Sequence, residues 1–290
     1  MNILEPAQKI NLIECPRDAM QGWKKIISTE SKIGYLNSLL KIGFDTLDFG
    51  SFVSPKAIPQ MADTHKVIQG LRPVNSSTKL LAIVANLRGA TEAIVYDEIN
   101  CIGFPFSISS TFQMRNTNSS IQSSFETVEE MQNLCVKNNK QLVVYISMGF
   151  GNPYGDTYHP DIVVDWATKL VEIGVPILSL ADTVGLATPE LIKEVTTAVI
   201  SQLKGVEVGI HLHSSPAQWQ EKLDAAIASG CKRFDGALKG IGGCPMANDD
   251  LVGNMDSALM IPYFKEKQML ENIDEQALQH SLVLANMIFN

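Results

Sequence analysis

The sequence predicts an α/β fold: a TIM barrel of alternating strands and helices, followed by an additional C-terminal helix. Three observations support this prediction. Short apolar, β-branched runs recur at intervals of about 25 to 35 residues, which is the span of one strand–helix unit. The runs are almost continuously apolar, as in parallel strands that are buried on both faces. The length of 290 residues accommodates one barrel of about 250 residues and one further helix.

The predicted strands are apolar segments separated by longer, more polar ones. No Gly-, Ser- or Pro-rich linker interrupts their alternation with helical segments. We therefore expect one domain over residues 1–290, with the barrel over about 9–265. The eight predicted strands are Ile10–Glu14, Thr46–Gly50, Leu80–Ala85, Gly103–Ile108, Leu142–Ser147, Ile177–Asp182, Glu207–His213 and Arg233–Leu238.

The segments between the strands carry helical periodicity. Apolar residues recur at helical spacing in Glu30–Ile42 and in Ile121–Lys137. A third helix opens with Thr188 as its N-cap and Pro189 in the first helical position. The amphipathic segment Asn272–Ile288 lies outside the repeat and predicts the additional helix. A doubly wound sheet is the alternative fold, but no Gly-x-Gly-x-x-Gly motif follows the first strand.

The composition is that of an ordinary globular protein. Hydrophobic residues make up 45% and charged residues 19%, which excludes wholesale disorder. Lys and Arg number 23 and Asp and Glu 31, so the net charge of −8 argues against a general nucleic-acid-binding protein. An anionic substrate is compatible with this charge, because a local basic patch can oppose the global sign.

The cysteines and the start of the chain bear on the cellular compartment. Five cysteines are widely spaced and form no Cys-x-x-Cys pair, so we expect reduced thiols and neither a disulfide framework nor a zinc knuckle. The first eight residues lack the basic and apolar regions of a signal peptide. No apolar stretch approaches the roughly 20 residues of a membrane span. These features predict a cytoplasmic protein without a membrane partner.

A barrel places its chemistry at the C-terminal ends of its strands, and here those ends carry polar residues. The sharpest signal is the pair His211 and His213 at the end of the seventh strand. Residues i and i+2 of a strand project to the same face, so the two imidazoles would make half of a metal site. The alternative interpretation is a pair of partly buried histidines held by backbone hydrogen bonds.

Two further residues complete a candidate ligand set. Asp18, after the first strand, supplies a carboxylate, and Asn254, in the last loop, supplies an amide oxygen. A carboxylate, two imidazoles and an amide suit octahedral Mg²⁺ or Mn²⁺ better than a thiolate zinc site. Taken singly, Asp18 is also typical of a turn or helix cap, and Asn254 of a loop.

Arg17 and Cys244 are the candidates for the chemistry itself. Strand alternation would separate Arg17 from Asp18, but Pro16 favours a turn at this point. A guanidinium here would stabilise a developing oxyanion, and the alternative is a surface ion pair. Cys244 follows two glycines in a loop that is free to move like a lid. Its thiol either exchanges protons there or only fills space.

Five motifs of this chain occur together in one known family. They are Pro16-Arg17-Asp18-x-x-Gln21, Ser51-Phe52-Val53-Ser54-Pro55-Lys56 with Pro59-Gln60-Met61, Ser179-Leu180-x-Asp182-Thr183-x-Gly185, His211-x-His213 and Gly242-Gly243-Cys244-Pro245. On these motifs the chain resembles the hydroxymethylglutaryl-CoA (HMG-CoA) lyase family, over about residues 10–256. The second and the last motif are specific to the lyase branch of this superfamily. The Arg-Asp and His-x-His elements would also fit isopropylmalate- or homocitrate-synthase-like enzymes.

The resemblance implies that 3-hydroxy-3-methylglutaryl-CoA is cleaved to acetoacetate and acetyl-CoA, with Mg²⁺ or Mn²⁺ as the cofactor. It implies that Arg17 stabilises the thioester enolate, that Cys244 transfers a proton and that Asp182 acts as an acid or base. The implied metal ligands are Asp18, His211, His213 and Asn254. The expected substrate-binding residues are Gln21, Asp48, Ser51, Tyr145, Ser147, Thr183 and, near the CoA phosphates, Lys24.

The chain departs from the family at two carboxylates. Asp48 stands where the family usually has Glu, and Ala258 stands where a Glu usually follows Asn254, with Asp256 at best a displaced substitute. The alternative functions are a lyase or Claisen-condensing synthase acting on another 3-hydroxy-acyl-CoA, and a barrel that binds acyl-CoA without turnover. The additional helix is expected either to pack on the barrel or to form a contact in a homodimer or larger homo-oligomer.

Overall fold

The computed structural model describes residues 9–73, 76–243 and 253–290. Its eight parallel strands form one closed barrel in chain order, and the last strand pairs with the first. This arrangement confirms the predicted TIM barrel. The strands are Asn11–Glu14 (β1), Thr46–Ser51 (β2), Lys79–Ile83 (β3), Ile99–Ser107 (β4), Gln141–Ser147 (β5), Ile177–Ala181 (β6), Glu207–His211 (β7) and Arg233–Gly236 (β8).

Helices surround the barrel, and their apolar sides pack against the outer face of the strands. No helix in the described ranges combines the length and apolar character that a membrane span needs. The helices are Pro16–Gln21 (α1), Thr29–Leu39 (α2), Thr64–Gly70 (α3), Leu87–Ala93 (α4), Ser110–Thr117 (α5), Ile121–Lys137 (α6), Pro160–Glu172 (α7), Pro189–Gln202 (α8), Trp219–Ala228 (α9), Ser257–Glu266 (α10) and Glu275–Ile288 (α11).

Strand β4 begins four residues before its predicted start at Gly103. The missed part contains Asn100, an exposed residue whose side-chain carbonyl accepts a hydrogen bond from the backbone N–H of Leu80 at 2.8 Å. The register of β3 and β4 shifts at this point, between Leu80 and Leu81. A polar side chain at an irregularity breaks the continuous apolar pattern on which the prediction rested.

Helix α2 ends at Leu39, earlier than the predicted end at Ile42. Leu40 and Ile42 are nevertheless buried, so the apolar periodicity continues through the turn that follows the helix. The start of α8 agrees with the prediction. The hydroxyl of Thr188 accepts the backbone N–H of Leu191 at 3.2 Å, and a proline occupies the first turn.

The barrel interior is apolar on one side and polar on the other. An apolar cluster fills the interior along β3 to β6 and includes Leu81, Val143 and Tyr145. Towards β8 the fully buried Arg233 lies across Gly209, where an added Cβ would come within 2.7 Å of the Arg233 side chain. A glycine in β7 therefore makes room for an arginine inside the barrel.

The C-terminal helix α11 packs on the body of the barrel domain, against α2. Its Ser281 hydroxyl is hydrogen-bonded to that of Ser38 at 2.8 Å, and both side chains are buried. Just beyond the helix, the ring of Phe289 lies edge-on to Trp23 and Tyr35. The predicted helix is therefore present, although it begins three residues later than expected, after an N-cap at Asp274.

The N-cap of α8 provides a test of these local assignments. We expect Thr188→Ala to lower the free energy of unfolding by about 1 kcal/mol, because the helix loses the acceptor for the N–H of Leu191. Thr188→Ser retains the hydroxyl and serves as the matched control. Urea unfolding followed by circular dichroism measures the difference, and equal stability of the two variants would contradict the capping role.

Candidate metal centre and substrate cavity

A cavity of about 250 Å³ opens at the C-terminal ends of the barrel strands. Its lining includes polar side chains from the ends of β1, β2 and β7, together with a group of apolar side chains. Its lining consists of Cys15, Arg17, Asp18, Gln21, Asp48, Val53, Ala57, Ile58, Ile83, Ala85, Pro105, Phe112, Asn116, Thr117, Tyr145, Ser147, Ala181, Thr183, His211 and His213. The polar residues that the sequence places at strand ends therefore converge on one cavity.

Arg17 and Asp18 both reach the cavity because the chain turns directly from β1 into a helix. Pro16 occupies the first position of α1, where its missing N–H costs no hydrogen bond. Neighbouring side chains of a helix do not alternate between two faces as those of a strand do, so both can point to the same side. Both residues are buried.

Asp18 lies at the centre of a network of donors. One carboxylate oxygen accepts from Arg17 Nη1 at 3.0 Å and from Gln21 Nε2 at 2.7 Å. The other accepts from Asn254 Nδ2 at 2.7 Å and from the backbone N–H of Gly243 at 3.3 Å. Burial opposes ionisation, but the charges of Arg17 and His211 prevail and lower the pKa of Asp18 to about 2.

The two histidines project into the cavity side by side, with ring centroids 5.3 Å apart. His211 Nδ1 lies 3.2 Å from a carboxylate oxygen of Asp235, which leaves Nε2 for the cavity. The backbone of Thr183 hydrogen-bonds the ring of His213, whereas His213 Nε2 is buried and has no partner among the described residues. Burial, reinforced by His211, lowers the pKa of His213 to about 4, so this imidazole is neutral at pH 7.

These residues fit a divalent cation. One ligand atom each from Asp18, His211 and His213 lies within 4.8 Å of the others. Asn254 Oδ1 is buried and accepts no hydrogen bond from the described chain, while Asn254 Nδ2 is engaged with Asp18. An anionic oxygen, two imidazole nitrogens and an unpaired amide oxygen match a hard or borderline cation. The unpaired His213 Nε2 also argues against histidines held only by backbone hydrogen bonds.

Asn254 is brought to the site by a short antiparallel bridge to His213. The backbone N–H of Ser214 donates to the carbonyl of Gly253 at 3.0 Å on one side of this bridge. Gly242, in the loop after β8, lies close to Asn254 and has a φ of +111°. A Cβ at this position would lie 2.4 Å from Asn254 Nδ2 and 2.9 Å from Asp18 Oδ2. The loop after β8 therefore requires a glycine where it passes Asn254 and Asp18.

Arg17 is held by two carboxylates. Its Nη2 donates to Asp48 Oδ2 at 2.6 Å, its Nε contacts both oxygens of Asp48, and its Nη1 donates to Asp18. The pair is buried, so the surface ion pair considered above is wrong. Burial raises the pKa of Asp48 to about 6 although Arg17 opposes the shift. Among the described residues, acceptors engage three of the five guanidinium N–H groups, and the other two are candidates to bind an oxygen in the cavity.

Asp182 lies next to the cavity but not in its lining. One carboxylate oxygen accepts from Lys222 Nζ at 3.1 Å and the other from the backbone N–H of Ala187 at 3.0 Å. Both charged side chains are at least 95% buried. Burial raises the pKa of Asp182, and the Lys222 charge opposes this shift.

The structure brings most of the expected substrate-binding residues to the cavity. Gln21, Asp48, Tyr145, Ser147 and Thr183 line it. Two expected residues do not lie there. The Ser51 hydroxyl is buried and accepts the N–H of Val53, and the Lys24 side chain is exposed beyond the end of α1.

Several site residues were missed by the sequence interpretation. Asp235 orients His211 from β8, and a charged residue inside a short buried strand is the signal that could have found it. Phe112, Asn116 and Thr117 reach the cavity from α5. No motif marks them, because α5 is an extra helix between β4 and α6.

Two expectations concern the end of the barrel. Asp256 is the N-cap of α10, and its carboxylate accepts the backbone N–H groups of Lys239 at 2.8 Å and of Ala258 at 2.9 Å. It thus caps a helix and is not among the residues that line the cavity. The prediction for Cys244 lies outside the described residues.

A closed parallel barrel with a carboxylate, two imidazoles and an amide at its C-terminal mouth defines a TIM-barrel protein with a candidate metal centre. The model of the HMGL-like family matches residues 10–283. The chain belongs to this family, which confirms the resemblance stated from the motifs.

Individual relatives are similar over most of their length. The 3-hydroxy-3-isohexenylglutaryl-CoA/hydroxymethylglutaryl-CoA lyase of Pseudomonas aeruginosa is 30% identical over 93% of this chain and 90% of its own. The hydroxymethylglutaryl-CoA lyase of Bacillus subtilis is 32% identical over 80% of this chain and 77% of its own. A solved HMG-CoA lyase of Acinetobacter baumannii, in complex with coenzyme A and 3-methylmalate, has a TM-score of 0.90 at 28% identity and covers 99% of this chain and 93% of its own.

Gly242 provides a test of the candidate metal centre. We expect Gly242→Ala to raise the dissociation constant for Mn²⁺ by about tenfold or more, because the added methyl group displaces Asn254 and Asp18. Calorimetric titration of the purified protein measures this constant.

Gly205→Ala is the matched control for Gly242→Ala. Gly205 also has a positive φ, +83°, but nothing lies within 4 Å of an added Cβ. It should lose stability through backbone strain and keep its Mn²⁺ affinity. Equal affinities of wild type and Gly242→Ala would contradict the assignment of the site.

Proposed function

We propose that this protein is a divalent-metal-dependent lyase that cleaves 3-hydroxy-3-methylglutaryl-CoA to acetoacetate and acetyl-CoA. Membership of the HMGL-like family, with relatives named as lyases, makes it a carbon–carbon lyase. The observation that carries the substrate assignment is the cluster of Asp18, His211 and His213 with Arg17 beside it in one cavity. Such a cluster suits a substrate that bears a hydroxyl, a carboxylate and a thioester close together.

Asp18, His211, His213 and Asn254 would hold the cation, which we propose to be Mg²⁺ or Mn²⁺. When bound, the cation supplies a Lewis acid that polarises and orients the substrate's tertiary hydroxyl. The protein prepares this site in advance. Asp18 is anionic, His213 is neutral, and Asp235 fixes the orientation of His211.

The bond that breaks joins C2 and C3 of the hydroxymethylglutaryl group. As the hydroxyl on C3 loses its proton, its oxygen forms the ketone of acetoacetate, and the electron pair of the broken bond passes to C2 as the enolate of acetyl-CoA. The two N–H groups of Arg17 that no described residue accepts are the proposed donors for this enolate oxygen. A preorganised donor of this kind typically contributes about 3 kcal/mol to the barrier reduction.

Two proton transfers complete the reaction, one from the hydroxyl and one to C2. Cys244 remains the proposed donor to C2, on the strength of the family motif. In the sequence it directly follows Gly243, whose backbone N–H donates a hydrogen bond to Asp18 Oδ2. For Asp182 the hydrogen bonds to Lys222 and Ala187 favour a supporting role over direct proton transfer, since both carboxylate oxygens have donors.

An enzyme acting on a larger 3-hydroxy-acyl-CoA is the second candidate function. The apolar lining residues of the cavity, which include Val53, Ile58 and Phe112, favour an acyl chain beyond a single methyl group. The Pseudomonas aeruginosa relative is named for such a substrate, with an isohexenyl substituent. In both cases we propose an acyl-CoA as the ligand.

The lyase assignment predicts release of acetoacetate from HMG-CoA by the purified protein with Mg²⁺ or Mn²⁺. His211→Ala should abolish this release and weaken Mn²⁺ binding while the fold persists, because the site lies at the barrel mouth. His280→Ala, on the exposed side of α11, is the matched control and should keep full activity. Metal binding without HMG-CoA cleavage would refute the substrate assignment. Cleavage of 3-hydroxy-3-isohexenylglutaryl-CoA would then support the second candidate function, a lyase for a larger 3-hydroxy-acyl-CoA.

The buried Arg17–Asp48 pair predicts the pH dependence of the reaction. Because burial raises the pKa of Asp48 to about 6, its carboxylate is charged above this pH and becomes protonated below it. Protonation releases Arg17, so kcat at saturating Mn²⁺ should fall as the pH drops through about 6. Asp48→Asn should have lower activity at neutral pH and no such decline. A decline unchanged in Asp48→Asn would assign the titration to another group.

A further inference from the structure

Lys222 is a buried cation whose two acceptors both lie at the candidate site. It belongs to α9, and its side chain is only 5% exposed. Its Nζ donates to Asp182 Oδ2 at 3.1 Å and to the backbone carbonyl of His213 at 2.7 Å. Lys222 itself does not line the cavity.

The two acceptors belong to neighbouring strands. Asp182 directly follows β6, and its backbone N–H donates to the carbonyl of His211, the last residue of β7, at 2.9 Å. The next residue, Thr183, lines the cavity, and its hydroxyl accepts the backbone N–H of Met148 at 2.8 Å. Lys222 thus connects the ends of β6 and β7 at the point where the chain presents its ligands.

The contact with His213 acts on the backbone of a proposed ligand. His213 lies beyond the last residue of β7, where the regular strand pairing no longer holds the chain. Contacts that hold it there include the Lys222 ammonium on its carbonyl, the bridge to Asn254 and the backbone of Thr183 on its ring. Together they leave His213 Nε2 without a hydrogen-bond partner among the described residues.

A buried ammonium is stable only when acceptors replace the water that it has lost. Moving the Lys222 ammonium away from Asp182 and the His213 carbonyl would therefore cost a large free energy of desolvation. The same two contacts fix the positions of the segments that follow β6 and β7. We propose that Lys222 is a positioning residue that holds His213 in the orientation needed to bind the cation. This inference rests on the metal site proposed above.

The test is the affinity of Lys222→Met for Mn²⁺, measured by calorimetry and by electron paramagnetic resonance of bound Mn²⁺. We expect the dissociation constant to rise about 10- to 100-fold, as is typical when a contact behind a ligand is lost. The kcat for HMG-CoA cleavage should recover largely at saturating Mn²⁺, because Lys222 does not touch the reacting atoms. Lys222→Arg keeps a cation and should restore part of the affinity.

Lys222→Met leaves the Asp182 carboxylate buried without its cation, and this charge could prevent folding. The double variant Lys222→Met with Asp182→Asn removes that charge and still lacks the contact with the His213 carbonyl. It should fold and show the same loss of Mn²⁺ affinity. Circular dichroism and thermal unfolding establish that each variant is folded before it is titrated.

Lys32→Met is the matched control. Lys32 is equally buried, donates to Asp63 at 2.6 Å and to the backbone carbonyl of Gln60, and is not among the cavity-lining residues. Its loss should lower stability and leave the Mn²⁺ affinity unchanged. Unaltered affinity in Lys222→Met, or an equal loss in Lys32→Met, would overturn the positioning role. Absence of Mn²⁺ binding by the wild-type protein would instead refute the metal site itself.

Discussion

The rest of the candidate site depends on the hydrogen bonds that the charged carboxylate of Asp18 accepts. It receives donors from the helix after β1, from the loop after β8 and from the segment that carries Asn254. These donors come from separate parts of the chain, and a neutral Asp18 would lose the charge that attracts them. The same carboxylate is the anionic member of the proposed ligand set, so one ionised group both holds the site together and would bind the cation.

Buried or partly buried pairs of charged or titratable residues support the candidate site. Asp48 holds Arg17, Asp235 holds His211, and Lys222 reaches both Asp182 and the backbone of His213. Buried pairs contribute little net stability, because desolvation consumes most of their attraction. We propose that their value here is directional, with each pair holding one group of the candidate site in a fixed orientation.

The sequence alone predicted those features of the site that depend on patterns between residues close together in the chain. Strand alternation predicted the shared face of His211 and His213, and Pro16 indicated the turn that places Arg17 beside Asp18. It did not predict contacts between residues far apart in the chain, such as Lys222 with Asp182 or His211 with Asp235. The eight strand–helix units were evident from their apolar runs. The start of β4 was not, because the polar Asn100 interrupts the apolar pattern of that strand.

The hydrogen bond between Asp18 and Asn254 spans 236 residues of sequence, and the pairing of β1 with β8 that accompanies it closes the barrel. Contacts between residues so far apart in the chain form late in folding, because closing a long loop costs conformational entropy before the contact can stabilise the structure. During synthesis, Asp18 therefore meets Asn254 only after a further 236 residues have been made. The proposed metal site is therefore complete only once the barrel has closed, and a truncated or half-folded chain lacks part of its ligand set.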